Sequence, residues 1–308
     1  MNKTTTTLLF ALAIFTAASA PFVISSYSVP NTYGAPRIVE LTRTEKQFVN
    51  EKVFEYCQAQ VVKQALPTTP TDPSAKSIPV ILYHRITEKD APSHEVTRPN
   101  LFRSHLMWLK QEGYTTVTVA QLTDYMKGAA QAPLPEKPIV ITFDDGWKDN
   151  IEAAKTLEEF GFGATFYVVS GFFGNKLYFS RDELIALSKN PKFEIGSHTH
   201  SHFVKWEATL QQLDLCTMAS EAVASKRIIE QIIKKPVKSV AWPYGYNTPE
   251  AVYVAEQIGY TSTMMVNADT FNQPGHSPLF TRRLNVDGTC PLSDFKQMIK
   301  TQKLKECS

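Results

Sequence analysis

The chain has 308 residues and a formal net charge of +2, which predicts one large domain or two modest ones and excludes a small disulfide scaffold or a long repeat array. With 43% hydrophobic and 20% charged residues, and 18 Phe, 12 Tyr and 4 Trp, it can fill a sizeable core, and global disorder is excluded. Its 32 Lys and Arg against 30 Asp and Glu provide no broad cationic field, which argues against nucleic acid as a partner and directs attention to a small-molecule or sugar site.

Residues 1–20 read as an export signal. Lys3 and a threonine run precede the apolar stretch Leu8 to Phe15, and Ala18-Ser19-Ala20 forms an A-x-A cleavage pattern. Pro21 is a poor residue after a cut, so an uncleaved amino-terminal anchor is the alternative. The expected destination is the periplasm or the outside of the cell. Cys57, Cys216, Cys290 and Cys307 are compatible with disulfides in three possible pairings, or with free buried thiols. None forms a C-x-x-C pair, which disfavours a cysteine zinc site.

Residues 21–77 read as an extension: a helical pattern from Arg43 to Leu66, then a linker with Pro67, Pro70 and Pro73 among Thr and Ser. The main domain is expected over 78–308. There, apolar runs at 79–84, 138–144, 164–169, 193–198, 239–243, 260–266 and 279–286 read as strands. Helical patterns near 100–112, 120–128, 149–160, 181–189, 208–234, 248–258 and 292–301 separate them. Strands alternating with helices imply βαβ units, a parallel sheet and a barrel-like α/β fold. In α/β barrels the carboxyl ends of the strands carry the chemistry, and here several strands end in His84, in Asp144 with Asp145, and in His198.

Thr142-Phe143-Asp144-Asp145-Gly146 places two adjacent carboxylates at the end of an apolar strand. Neighbouring side chains on a strand point oppositely, so only the turn that follows can bring both to one centre. His198-Thr199-His200-Ser201-His202 packs three of seven histidines into five residues. His198 and His202 are four apart and would share one face of a helical turn, with His200 pointing elsewhere. Two imidazoles and one carboxylate leave positions open for water and substrate, the pattern of a catalytic zinc site.

These two segments, followed by Trp242-Pro243-Tyr244-Gly245, resemble the first three motifs of the polysaccharide deacetylases, the NodB-homology domain of carbohydrate esterase family 4, over roughly residues 78–300. The resemblance implies a distorted (β/α)7 barrel and metal-dependent removal of acetyl groups from N-acetylated sugars. It implies Asp145, His198 and His202 as ligands of one divalent ion, Zn²⁺ first with Co²⁺ or Ni²⁺ as alternatives, and Asp144 as general base. The backbone N–H of Tyr244 would be the oxyanion donor, and Trp242, Pro243 and Tyr244 would contact substrate.

Two departures stand out. The third motif lacks the arginine that steadies the base in many members, a place open to Arg282 or Arg283, and no strand near the carboxyl terminus ends in a histidine. Val80-Ile81-Leu82-Tyr83-His84 carries such a stretch at the front instead. That arrangement, with Trp-Pro-Tyr-Gly, is similar to the branch acting on poly-β-1,6-N-acetylglucosamine, which makes His84 the expected general acid. The other readings are a deacetylase of peptidoglycan or a lipid-linked glycan, and a non-catalytic carbohydrate-binding module.

Overall fold

The computed structural model describes residues 41–57, 75–202, 214–245, 248–266, 272–304 and 307. The expected signal segment, most of the Pro-rich linker, the second half of the helical pattern before it, and residues 208–213 of the expected helix 208–234 lie outside the described residues.

The strands in chain order are β1 (Val80–Tyr83), β2 (Arg85–Ile86), β3 (Val96–Thr97), β4 (Thr115–Thr116), β5 (Pro138–Phe143), β6 (Ala164–Val168), β7 (Phe193–Ser197), β8 (Ser239–Ala241), β9 (Ser262–Met264) and β10 (Leu284–Asn285). The helices are α1 (Arg43–Cys57), α2 (Pro99–Gln111), α3 (Val119–Met126), α4 (Asn150–Phe160), α5 (Arg181–Lys189), α6 (Leu215–Ile233), α7 (Pro249–Gln257) and α8 (Leu292–Thr301). The main sheet runs β10-β1-β5-β6-β7-β8-β9 with every pair parallel, and β4 adds to β5. Thr281 bridges Met264 at the end of β9 while Leu284 pairs with Ile81 of β1, so one short segment touches both edges and curls the sheet towards closure. The alternation of strands and helices gives the expected parallel, barrel-like sheet, in the distorted (β/α)7 form that the family resemblance implies.

Side-chain alternation divides the core. Ile81, Tyr83, Ile141, Phe143, Phe166, Ile195, Val240 and Leu284 face the helices in one large cluster. Val80, Val140, Tyr167, Ala241 and Met264 form a second cluster with Leu122 and Met126 of α3. The helices supply matching apolar stripes, as in α2, where Phe102, His105, Leu106 and Leu109 are buried at three- and four-residue spacing. Thr118 with Gln121 and Ser180 with Glu183 form capping boxes that start α3 and α5.

The expected last strand over 279–286 is largely not a strand. Ser277 caps a short 3-10 turn at Pro278–Phe280, and regular pairing is left to Leu284 and Asn285. The helical pattern of the extension is realised as α1, whose Val49 and Val53 are buried in the large cluster, with Arg227 of α6 stacked 3.6 Å from the Phe48 ring centroid. Cys290 and Cys307 form a disulfide and Cys216 is also disulfide-bonded, so the free-thiol alternative does not hold for these residues.

Candidate active site

The period of two that builds the strands also selects the site. Val140, Thr142 and Asp144 lie on one face of β5 and its extension, and Thr142 pairs with Leu82, two residues before His84. Gly196 precedes His198 by two. A Cβ there would meet the Tyr167 ring at 2.3 Å, so the ring on β6 requires glycine at this point of β7.

Alternation would send Asp145 away from Asp144, and the backbone prevents this. Asp145 has φ 72° and Gly146 φ 76°, both left-handed, which turns the chain at the strand end. Asp145 Oδ1 comes to lie 3.3 Å from Nε2 of His198 and 3.3 Å from Nε2 of His202. The expected helical turn carrying the two histidines is absent. His198 to His202 is a loop with Thr199 at φ 67° and His202 at φ 55°, and these two residues, not a helical repeat, bring the rings within 5.0 Å. His200 points elsewhere, as the spacing implies: it is buried against the Ser170 hydroxyl at 2.9 Å.

The donor set fits a divalent ion. One ligand atom from each of Asp145, His198 and His202 lies within 4.8 Å of the others. His198 Nδ1 sits 2.6 Å from the Ala241 carbonyl oxygen, which can only accept, so Nδ1 carries a proton there and Nε2 is the ring nitrogen turned towards Asp145. Burial alone would raise the Asp145 carboxyl, but the hydrogen bonds from His198 and His202 hold it well below the usual carboxylate range. Asp145 Oδ2 is occupied separately by the indole N–H of Trp147 at 2.8 Å. The His loop is held from behind by Glu221 of α6, which accepts from the His200 N–H (2.9 Å), the Ser201 N–H (2.7 Å) and the Ser201 hydroxyl (2.7 Å).

Asp144 has a different partner. It is 1% exposed and receives a bidentate pair from Arg283, itself fully buried, at 2.6 and 2.7 Å. Arg283 is oriented by its Nε donating to the Met265 carbonyl at 2.9 Å. Burial would raise the Asp144 carboxyl, yet the Arg283 guanidinium keeps it below its ordinary value. Of the two arginines left open by the sequence, Arg283 is the one that meets the carboxylate.

His84 follows β1, whose pairing with β10 places it beside the last strand. Its Nδ1 is buried with no hydrogen-bond partner among the described residues, while its carbonyl accepts from Asn150 Nδ2 at 2.7 Å. In the Trp-Pro-Tyr-Gly turn, Tyr244 has φ 59°, is 54% exposed, and holds its ring 5.4 Å from that of His202. Trp242 and Pro243 are buried, Trp242 inside the large core cluster, so of these three side chains only that of Tyr244 is open to a sugar. Of the other histidines, His105 is buried against Phe295, and exposed His94 pairs with Asp287.

Trp147 and Glu221 were not marked by any sequence pattern. Trp147 follows the Asp-Asp-Gly turn directly, the one signal that could have found it, whereas Glu221 is one of many glutamates on helices.

Comparison with known proteins places this geometry. A family model described as polysaccharide deacetylase matches residues 131–263, a stretch containing Asp144, Asp145, His198 and His202 but neither His84 nor Arg283. The Bacillus subtilis protein YxkH, named for the same family, is 28% identical over 62% of this chain and 64% of its own length. The poly-beta-1,6-N-acetyl-D-glucosamine N-deacetylase of Staphylococcus aureus is 24% identical over 58% of this chain and 63% of its own. The matches thus span somewhat less than two thirds of these relatives. Among solved structures, the Streptococcus pyogenes deacetylase PplD in complex with acetate aligns with TM-score 0.65 at 20% identity, over 73% of this chain and 99% of that one. IcaB from Ammonifex degensii aligns with TM-score 0.65 at 22% identity, over 74% and 97%. At these identities the two structures establish the shared fold.

Proposed function

This chain carries a polysaccharide deacetylase domain, and on that premise we propose that it is an exported, metal-dependent N-deacetylase that releases acetate from a β-linked N-acetylglucosamine polymer of the poly-β-1,6 type. The observation that carries the reading is the pairing of two functions at one strand end: a three-donor cluster of Asp145, His198 and His202, and beside it a buried carboxylate, Asp144, held ionised by Arg283. A carbohydrate-binding module would need neither the donor cluster nor the bidentate clamp.

Asp145, His198 and His202 would hold the ion, which when bound lowers the pKa of water and polarises the acetyl carbonyl. Asp144 accepts a proton from the attacking water. Its two oxygens are fixed by Arg283, so the base is positioned before substrate arrives. His84 is the general acid for the departing sugar amine, with its buried Nδ1, which has no hydrogen-bond partner among the described residues, one of the two ring nitrogens from which a proton can be delivered. The Tyr244 N–H is the donor for the developing oxyanion, and its exposed ring offers a face to the sugar. The named activity of the Staphylococcus aureus relative and the placement of His84 directly after the front strand both support the β-1,6-linked substrate. The Cys290–Cys307 disulfide supports an oxidising compartment. No described helix is long and apolar enough to cross a membrane.

Acetate release tests the reading. The purified protein should liberate acetate from poly-β-1,6-N-acetylglucosamine, lose turnover on chelation and regain it with Zn²⁺ or Co²⁺. His202→Ala should lose metal affinity while staying folded. Turnover of peptidoglycan alone would move the substrate, and full activity in metal-free protein would remove the metal mechanism.

A further inference from the structure

Outside the residues that the family motifs assign, the side chain of Trp147 hydrogen-bonds to the donor cluster. The indole Nε1–H of Trp147 donates to Asp145 Oδ2 at 2.8 Å, while Oδ1 of the same carboxylate faces both imidazoles. The indole is itself clamped. One ring partner is Tyr178, stacked at 4.5 Å and 26°, and the other is Arg85, whose guanidinium carbon lies 4.4 Å from the ring centroid. Arg85 is in turn fixed by Asp149 at 2.6 Å and by Asp90. The backbone joins in: Trp147 bridges Tyr178, and the Lys148 N–H donates to the Leu177 carbonyl at 2.8 Å.

We propose that Trp147 is a positioning residue for the metal site: its N–H occupies Asp145 Oδ2, keeps the carboxylate monodentate through Oδ1, and so leaves coordination positions open for water and substrate. The physical argument has two parts. A carboxylate with one oxygen committed to a fixed donor cannot rotate to chelate with both, and hydrogen-bonded partners of metal ligands typically set affinity by 10- to 100-fold. A cation on the indole face draws on the ring's electron density and leaves the N–H a stronger donor, so the Arg85 contact strengthens the hydrogen bond rather than merely packing the ring.

The inference rests on Asp145 being a metal ligand, and a titration with Co²⁺ keeps the two apart. The parent protein should bind one Co²⁺ with a tetrahedral or five-coordinate visible spectrum. No binding by the parent would sink the site assignment itself. Trp147→Phe keeps a ring between Arg85 and Tyr178 but has no N–H. It should bind Co²⁺ about 10- to 100-fold more weakly. Its visible absorption should also fall, because Asp145 becomes free to bind through both oxygens. Trp147→His retains a ring N–H and should recover part of the lost affinity, while Tyr178→Phe, which keeps the stack, should match the parent. If the parent binds and Trp147→Phe shows the same affinity and spectrum, or if the Phe and His variants lose affinity equally, the ring only packs and the inference is wrong.

Discussion

Replacing Arg283 by Met isolates what the buried ion pair does. Arg283 and Asp144 are both essentially inaccessible, their two hydrogen bonds measure 2.6 and 2.7 Å, and Arg283 also reaches Met265 O and Thr142 Oγ1. Removing one partner of such a pair leaves a buried carboxylate uncompensated, a loss of about 3–5 kcal/mol, far above the ~0–1 kcal/mol of an exposed pair. Asp144 escapes part of that cost by taking up a proton, and a protonated Asp144 cannot act as a base. Arg283→Met should therefore lower both the urea midpoint of the metal-free protein and the rate of acetate release, the latter by about 10²–10⁴-fold. Asp144→Asn added to Arg283→Met removes the stranded charge, so the double variant should be more stable than Arg283→Met alone while remaining inactive. Arg283→Lys supplies a point charge that cannot form the bidentate fork and should fall between parent and Met. An Arg283→Met protein with parental stability and turnover would refute the reasoning, as would a double variant no more stable than the single.

The neighbouring carboxylates should separate cleanly. Asp144→Asn should retain metal and lose turnover, whereas Asp145→Asn should lose metal affinity, and metal content by elemental analysis distinguishes them. His84→Ala should keep its metal and deacetylate the polymer about 10²-fold more slowly, with a smaller defect on an activated ester whose leaving group needs less protonation. Burial depresses the His105 imidazole to about 3, below the ~6.5 of an unfolded chain, so the unfolded state binds the extra proton and stability is lost as pH falls from about 6.5 towards 3. His105→Phe should flatten the fall of melting temperature across that window, and an unchanged slope would assign the acid sensitivity elsewhere.

The fold was legible where periodicity was strong. The apolar runs before His84, Asp144 and His198 became parallel strands with those residues at their carboxyl ends, because alternation carries each of them onto a fixed face. The last strand was misread because an apolar run with Arg282 and Arg283 resembles a strand, whereas a proline and its Ser277 cap turn the chain first. In the site, residue identity revealed the three donors but not the means of joining them. Four-residue spacing suggested a helical turn, and what forms is a loop set by left-handed residues, which carry no signal in Thr or His. The Arg283 clamp could be narrowed only to two residues, since which of two adjacent side chains faces Asp144 depends on the register of β10 with β1. Glu221 was invisible because its role is defined by where α6 lies, not by a motif.

The distribution of backbone strain gives these local facts one cause. Six non-glycine residues have positive φ among those described: Lys234 and Gln302 end α6 and α8, and the other four, Asp145, Thr199, His202 and Tyr244, all lie at the site. Each such residue costs on the order of 1–3 kcal/mol and persists only where its surroundings over-determine it. Here they do: Trp147 fixes Asp145, Glu221 holds the loop between Thr199 and His202, and the Gly245 N–H closes the Tyr244 turn on the Trp242 carbonyl. Regular strands alone would point Asp144 and Asp145 to opposite faces. The strained turn at Asp145 allows one barrel end to present a carboxylate clamped by arginine and, one residue later, a carboxylate aimed at two imidazoles. The rigid parallel strands set the arginine-clamped carboxylate, the left-handed turns set the donor cluster, and the different partners of two identical neighbouring residues follow from that difference in backbone.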